Sequence, residues 1–174
     1  MFADRLFNNY SNEEVHVVEL PYKDEEISMY LIKPLKGDVQ NLIAEFSASK
    51  FNDIKEQLKK NRLMLTMPSF EVEYKNEQMT DRLKGLGIYD IFENNANLTK
   101  MAEQKNLKVS RVIHKTYITV DEKGTEGAAV TVGGIVLTSS PPQVDFDSPF
   151  MFIIADNVTN NFLFMGRVSN PKEK

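Results

Sequence analysis

The side chains that most often carry out chemistry are scarce in this sequence. It contains two histidines and no cysteine, so no thiolate nucleophile is available, and the histidines lack the spacing of a zinc-binding pair. Carboxylates are plentiful, but Glu25 and Glu26 fall in a predicted turn, and Glu71 and Glu73 alternate along a predicted strand. We interpret them as solvated charges. The sequence therefore predicts no enzyme active site, no cofactor and no metal.

One stretch is unusual for its lack of charge. From Gly124 to Gly134 the residues are small and mostly uncharged, Glu126 being the exception, and no basic residue occurs between Lys123 and Arg167. A Gly-rich surface loop is one interpretation. The alternation favours another, because one side of an extended chain here carries no charge and could be buried in a sheet. The residues on that side are Thr125, Gly127, Ala129, Thr131, Gly133 and Ile135.

The residues on the other side of this stretch include good strand formers, Val130 and Val132 beside Glu126 and Ala128. The segment therefore has the composition of a loop that a β-sheet could also accept as a strand.

Four blocks of the sequence, in order and at matching spacing, resemble the serpins, a family of serine protease inhibitors. Together with Met1–Phe7, which resembles the middle of a serpin, they extend the resemblance over essentially all 174 residues. The blocks are Val109–Val120 (the strand before the loop), Asp121–Ala129 (the hinge), Ser140–Ile154 (the segment after the loop) and Phe162–Pro171 (the C-terminus).

The resemblance implies an α+β serpin fold with mainly antiparallel β-sheets, short helices and an exposed or inserted reactive-centre loop at about residues 124–143. Residues 1–174 would then be the C-terminal portion of a single serpin domain, with the N-terminal half absent. We expect the chain to require that half as a partner, because the half carries the strands beside which the loop inserts.

The function implied by the resemblance is protease inhibition rather than catalysis. In serpins the target protease cleaves the loop, which then inserts into the main sheet and traps the enzyme. The residues implied for the hinge are Glu122, Gly124, Thr125, Glu126, Gly127, Ala128 and Ala129. Counted from Gly124 along the family's loop, the reactive bond is Thr138–Ser139, and a slip of one residue would place it after Leu137.

Residues around this bond restrict the class of target protease. Trypsin-like enzymes require a basic side chain, and none is present near Thr138. An elastase-like or chymotrypsin-like serine protease, or a papain-like cysteine protease that reads Leu137, fits better. Two alternatives stay open: a non-inhibitory serpin that carries a ligand or acts as a chaperone, and a truncated, inactive serpin fragment.

Two further positions bear on the resemblance. His114 occupies the place of a serpin histidine with a structural role in the main sheet, whose expected partners lie in the N-terminal half. In serpins the glutamate at the position of Glu122 commonly forms an ion pair with a lysine that directly follows a proline. In this sequence the residue after Pro68 is Ser69 instead. That ion pair is therefore predicted to be missing.

Composition narrows the class of partner. A formal net charge of −4 provides no basic field for nucleic acid, and no apolar run reaches the length of a membrane span, so we expect neither as a partner. The serpin resemblance implies a protease as partner and a secreted, extracellular protein. Three sequons, at Asn9, Asn97 and Asn157, would permit glycosylation.

Periodicity predicts the elements that position the loop. Runs 14–22 and 26–33 read as a hairpin joined by Lys23–Glu25, and apolar spacing predicts a helix over 38–46, followed by a second one capped by Ser47 or Ser49. Residues 63–74 read as two strand pieces on either side of Pro68. The remaining predictions are a short helix over 78–88 that stops at Gly85 or Gly87, a polar loop to Lys105 and the strand over 109–120.

Overall fold

A computed structural model describes residues 1–101, 107–121 and 140–171. Its strands are β1 (Phe2–Ser11), β2 (Val15–Pro21), β3 (Ile27–Pro34), β4 (Lys59–Thr66), β5 (Phe70–Asn76), β6 (His114–Val120), β7 (Gln143–Asp145), β8 (Phe150–Asp156) and β9 (Phe162–Val168). Its helices are α1 (Val39–Ala44), α2 (Ala48–Gln57) and α3 (Met79–Gly85), with a 3-10 turn at Asp90–Phe92. Among these helices none is long and apolar enough to cross a membrane.

Seven strands form one sheet in the order β7-β4-β1-β2-β3-β8-β9, and β5 pairs with β6 in a second, two-stranded sheet. Within the seven-stranded sheet every neighbouring pair is antiparallel except β4 and β7, which are parallel. This arrangement confirms the predicted α+β fold with mainly antiparallel sheets. The chain divides into two compact units: residues 1–70 with the described residues from 119 onward, and the described part of 71–118.

The core of the first unit lies in the middle of its sheet. β2, β3 and β8 carry near-continuous apolar runs whose side chains are buried on both faces. On one face Phe51 of α2 is fully buried, with its ring 4.9 Å from that of Tyr30 and 5.0 Å from that of Phe162. Because these strands are fixed by burial on both sides, they provide a rigid base for the edge strands.

Local signals set the ends of several elements. The β2–β3 hairpin turns at Glu25, which has a φ of 57°. Asp38 caps α1 by accepting from the backbone N–H of Asn41, and Ser47, one of the two predicted caps, accepts from Lys50 at the start of α2. β4 and β5 lie on either side of Pro68.

The second unit shows how a glycine stops a helix. Gly87 has a φ of 89°, and beyond it the N–H of Ile88 donates to the carbonyl of Leu83 while that of Gly87 donates to Lys84. This pattern is the Schellman arrangement, which needs a left-handed residue at this place. Of the two predicted stops, Gly87 is therefore the one that ends α3.

Two predictions for the second unit are wrong in detail. The strand over 109–120 begins only at His114, because upstream backbone donors are used locally: Val109 N–H donates to Ile91 and Val112 N–H to the Thr80 hydroxyl. The polar loop to Lys105 also contains the 3-10 turn, where Phe92 is buried.

Candidate functional site

The predicted reactive-centre loop falls on residues that the structure does not describe. Residues 122–139 contain all of the predicted hinge and reactive-bond positions, so these predictions lie outside the described residues. They are Glu122, Gly124, Thr125, Glu126, Gly127, Ala128, Ala129, Leu137, Thr138 and Ser139. The structure does describe both borders of the loop, β6 with Asp121 before it and Ser140 with β7 after it.

The N-terminal border is the strand β6. Along it the side chains alternate between exposed and half-buried, as expected for a strand with one covered face. His114 is exposed, and its Nε2 lies 2.9 Å from the Thr116 hydroxyl. Ser69, at the place of the family's lysine, is exposed as well.

The C-terminal border is an edge strand of the seven-stranded sheet, held by backbone hydrogen bonds to β4. β7 runs parallel to β4, with Met64, Leu65 and Thr66 opposite Gln143, Val144 and Asp145. The N–H of Met64 donates to the carbonyl of Pro142 at 2.9 Å, and the N–H of Phe146 donates to the carbonyl of Thr66 at 2.8 Å. The chain that leaves the loop is therefore fixed within three residues of Ser139.

Apolar side chains fix the same segment from inside. Val144 is 6% exposed and Phe146 is 1% exposed, and the Phe146 ring meets that of Phe150 edge to face at 5.2 Å. Burial of an aromatic side chain of this size contributes about 1.5–3 kcal/mol. β7 has only three residues and therefore few backbone hydrogen bonds. The burial of Val144 and Phe146 adds to the stability of this segment.

A lysine from the middle of the sheet completes the anchor. Lys33, near the end of β3, donates from Nζ to the backbone carbonyl of Asp145 at 2.5 Å and to the carboxylate of Asp147 at 3.1 Å. We call Lys33 with these two acceptors the Lys33 clamp. The Lys33 side chain is 20% exposed, so the charge is only partly screened by water.

The sequence analysis did not identify Lys33 as part of the site. The one signal in the sequence is that the charged Lys33 directly follows the mostly apolar run Ile27–Ile32. In a buried strand we would expect a further apolar residue, or the end of the strand, at this position. The acceptor on Asp145 is a backbone carbonyl, which no residue pattern reveals.

His16 lies opposite Lys33 in the β2–β3 pairing. Burial, and secondarily the positive charge of Lys33, lowers the pKa of the His16 imidazole below 6.5. Among the described residues its buried Nε2 has no hydrogen-bond partner. His16 is therefore a neutral neighbour of the clamp at neutral pH.

A second buried polar group lies in β2 and β3. Glu19 accepts hydrogen bonds from Asn8 Nδ2 at 2.7 Å and from the Ser28 hydroxyl at 2.8 Å, and the Tyr30 hydroxyl lies 2.9 Å from the same carboxylate. Burial and the charge of Glu19 raise the pKa of Tyr30. With its polar atoms paired, this cluster reads as structural.

The described residues place an anchored strand after the predicted loop. They contain no group of three or more histidine or acidic side chains suited to a metal ion. β7 begins at Gln143, nine residues after Gly134, which ends the stretch of small, mostly uncharged residues. The segment that follows the predicted reactive bond is therefore held by its pairing with β4 and by Lys33.

Comparison with known proteins assigns the family. The family model described as Serpin (serine protease inhibitor) matches residues 1–171. An uncharacterized serpin-like protein of Methanosarcina mazei is 34% identical over 181 residues, and a serine protease inhibitor of Cyanea capillata is 39% identical over 166 residues. They cover 100% and 92% of this chain respectively.

A solved structure is similar throughout the same region. Native protease nexin-1, crystallised with heparin, superposes with a TM-score of 0.81 at 29% identity over 98% of this chain. The chain belongs to the serpin family. It spans 42% and 43% of the length of the two relatives and 46% of the nexin-1 chain.

Proposed function

We propose that this chain is the C-terminal portion of a serpin that traps its target protease as a suicide substrate. The reactive bond is Thr138–Ser139, or the bond after Leu137, and the cleaved loop inserts into the main sheet of the complete domain. The hinge runs from Glu122 to Ala129.

The observation that supports this proposal most directly is the anchoring of β7. Trapping requires that, after cleavage, only the part of the loop before the reactive bond is free to move. The bonds from Met64 to Pro142 and from Phe146 to Thr66, with the Lys33 clamp, hold the segment after the bond in place. A protease bound at Thr138 thus meets a chain that stays fixed on one side of the bond.

The composition of the loop supports the insertion step. A strand of some 14 residues at about 3.3 Å per residue is roughly 45 Å long. Each residue gains ladder hydrogen bonds on insertion, whereas a buried charge would cost several kcal/mol. The inward positions Thr125, Gly127, Ala129 and Thr131 carry neither charge nor bulk.

The target class follows from the residues before the bond. Thr138 and Leu137 are uncharged, which suits an elastase-like or chymotrypsin-like serine protease, and Leu137 also suits a papain-like cysteine protease. The relative from Cyanea is named a serine protease inhibitor. We propose that the protein acts outside the cell, where such enzymes are found.

The deciding experiment is incubation of the complete encoded protein with elastase, chymotrypsin and papain. A complex that survives boiling in detergent supports trapping. The mass of the released C-terminal fragment identifies the bond, because cleavage after Thr138 leaves Ser139 at its start and cleavage after Leu137 leaves Thr138. Clean cleavage by all three enzymes with no stable complex would contradict the proposal.

A ligand-carrying serpin is the second candidate, and one observation favours it. A cleft of about 430 Å³ beside α1 and α2 is lined by Tyr10, Leu42, Phe46 and Ile54, among others. That volume lies in the range of small-molecule sites. A protein that is cleaved without forming a complex, and that takes up an apolar fluorescent probe into this cleft, would be assigned to this class.

The third candidate is a fragment without inhibitory capacity. Insertion into the main sheet needs the strands that the resemblance assigns to the N-terminal half of a serpin, and this chain spans 42% and 43% of the length of the two relatives. Comparing the 174-residue chain with the complete encoded protein in the same elastase assay separates this candidate from the first.

A further inference from the structure

The three sequons of this chain occupy very different surroundings. Enzymatic N-glycosylation uses Asn-X-Ser/Thr, and the motif alone does not separate acceptors from bystanders. In an acceptor asparagine the side-chain nitrogen must face the solvent in the folded protein. Its hydrogens must not be needed for contacts within the fold, because the glycan replaces one of them. The described hydrogen bonds of the three asparagines decide which of them meets this condition.

Asn157 uses its whole side chain to hold the fold. Its Nδ2 donates to the carbonyl of Glu25 at 2.9 Å and to the Ser28 hydroxyl at 2.7 Å, while its Oδ1 accepts from the Tyr30 hydroxyl at 2.6 Å. Both hydrogens of Nδ2 are therefore engaged, and a glycan would take the place of one of them. A glycosylated Asn157 is incompatible with this half-buried network of hydrogen bonds.

Asn9 is enclosed by strands. It lies in β1 opposite Val18 of β2 on one side and Lys59 of β4 on the other. Its Nδ2 donates to the carbonyl of Phe7 in its own strand at 3.0 Å and to that of Lys59 in β4 at 3.4 Å. A glycan here would have to displace sheet contacts.

Asn97 differs from both. It is exposed in the loop after the 3-10 turn, and its Oδ1 accepts from the Thr99 hydroxyl at 2.7 Å and from the Thr99 N–H at 3.3 Å. Within the described residues no hydrogen bond uses its Nδ2. The hydroxyl that the motif requires thus contacts the acceptor amide, whereas Thr159 of the Asn157 sequon accepts from Asn161 instead.

We propose that Asn97 is the N-glycosylation acceptor of this protein and that Asn9 and Asn157 are not. The proposal rests on the extracellular destination in the proposed function, but not on protease trapping. The co-reactant is an oligosaccharide carried on a lipid diphosphate. Asn97 Nδ2 attacks the anomeric carbon of the sugar and forms a C–N bond. The bond from that carbon to the diphosphate oxygen breaks, the diphosphate leaves with the electron pair, and Nδ2 releases one proton.

The test is secretion of the complete encoded protein from a eukaryotic host, followed by mass measurement of the peptides from residues 1–174 before and after peptide N-glycosidase. Three matched variants each remove one sequon and leave every asparagine in place: Thr99→Ala, Thr159→Ala and Ser11→Ala. Of the hydrogen bonds described above for the three sequon asparagines, only the one from the Thr99 hydroxyl to Asn97 Oδ1 is lost. All three positions are exposed, so the variants should fold. Asn97→Gln serves as a second variant at the predicted site.

Within residues 1–174 we expect the wild type, Thr159→Ala and Ser11→Ala to lose the mass of a single glycan on enzyme treatment. Thr99→Ala and Asn97→Gln should show no loss there. Secreted wild type without a glycan in residues 1–174, or a glycan in these residues that survives in Thr99→Ala, would overturn the proposal. An elastase assay on the same samples reports separately on protease trapping, so failure of one proposal can be told from failure of the other.

Discussion

Lys33 and Asp145 touch, although their strands are four positions apart in the sheet order β7-β4-β1-β2-β3. In a flat sheet four spacings of about 4.8 Å would separate the strands by roughly 19 Å, far beyond one lysine side chain. The sheet of the first unit is therefore strongly curled, with its β7 edge returned toward the end of β3. This curl lets a single side chain hold the segment that follows the candidate reactive bond.

Replacing Lys33 by methionine should loosen this segment. A hydrogen bond from a charged group is worth about 1.5–3 kcal/mol, and we expect Lys33→Met to lower the free energy of unfolding by an amount in that range. Amide hydrogen exchange should quicken at Met64 and Phe146, whose N–H groups pair β4 with the segment of β7. Both quantities can be measured on the same protein sample.

The matched control for this variant is Lys36→Met. Lys36 pairs with Glu13 at 2.6 Å, but the two side chains are 65% and 86% exposed, and such pairs contribute about 0–1 kcal/mol. Exchange at Met64 and Phe146 should not change in this control. Equal effects of the two variants would show that the clamp has no special role.

Stability should depend on pH through His16. Its pKa is lowered in the folded protein, first by burial and then by Lys33, from an unfolded value of 6.5. As the pH falls, the unfolded chain therefore binds the proton first, and the free energy of unfolding decreases from about pH 6.5 downward. Above that pH His16 is neutral in both the folded and the unfolded chain, and it does not lower the free energy of unfolding.

Urea unfolding at a series of pH values measures this dependence. His16→Gln should remove the decline that begins near pH 6.5, whereas His114→Gln, which changes an exposed imidazole, should keep it. A decline that persists unchanged in His16→Gln would assign the effect to another group.

Burial of Phe146 should matter as much as the backbone pairing of β7. Phe146→Ala removes a ring that is 1% exposed and packs on Phe150, and such a change costs about 3–5 kcal/mol. Phe2→Ala is the matched control, because Phe2 lies in β1 with 66% of its surface exposed. Thermal unfolding should separate the two variants clearly, and similar melting temperatures would contradict the packing argument.

The sequence predicted elements whose signals are local. The β2–β3 hairpin, the cap at Ser47 and the break at Pro68 follow from turn chemistry and periodicity within a few residues, and all are present. The serpin resemblance supplied the family and fold, which the family comparison and the structural similarity confirm.

Contacts between distant residues were not predictable in the same way. The Lys33 clamp joins positions 112 residues apart and uses a backbone acceptor, so no motif marks it. The strand before the hinge was predicted too long, because the bonds of Val109 and Val112 to the second unit's own elements do not follow from β propensity. The hinge and the reactive bond remain predictions from the resemblance.

Charge placed on the inward side of the loop should separate trapping from simple cleavage. In the complete protein we expect Ala129→Glu to bury a carboxylate during insertion at a cost of several kcal/mol. Insertion then slows, the acyl bond to the protease is hydrolysed first, and the detergent-stable complex gives way to cleaved inhibitor. Ala128→Glu is the matched control. Residue 128 faces the opposite side of an extended chain from residue 129, so this variant should still form the complex. The ratio of complex to cleaved product on a denaturing gel measures the outcome. If both variants trap as well as the wild type, the loop does not enter the sheet in the predicted register, and the insertion mechanism fails for this protein.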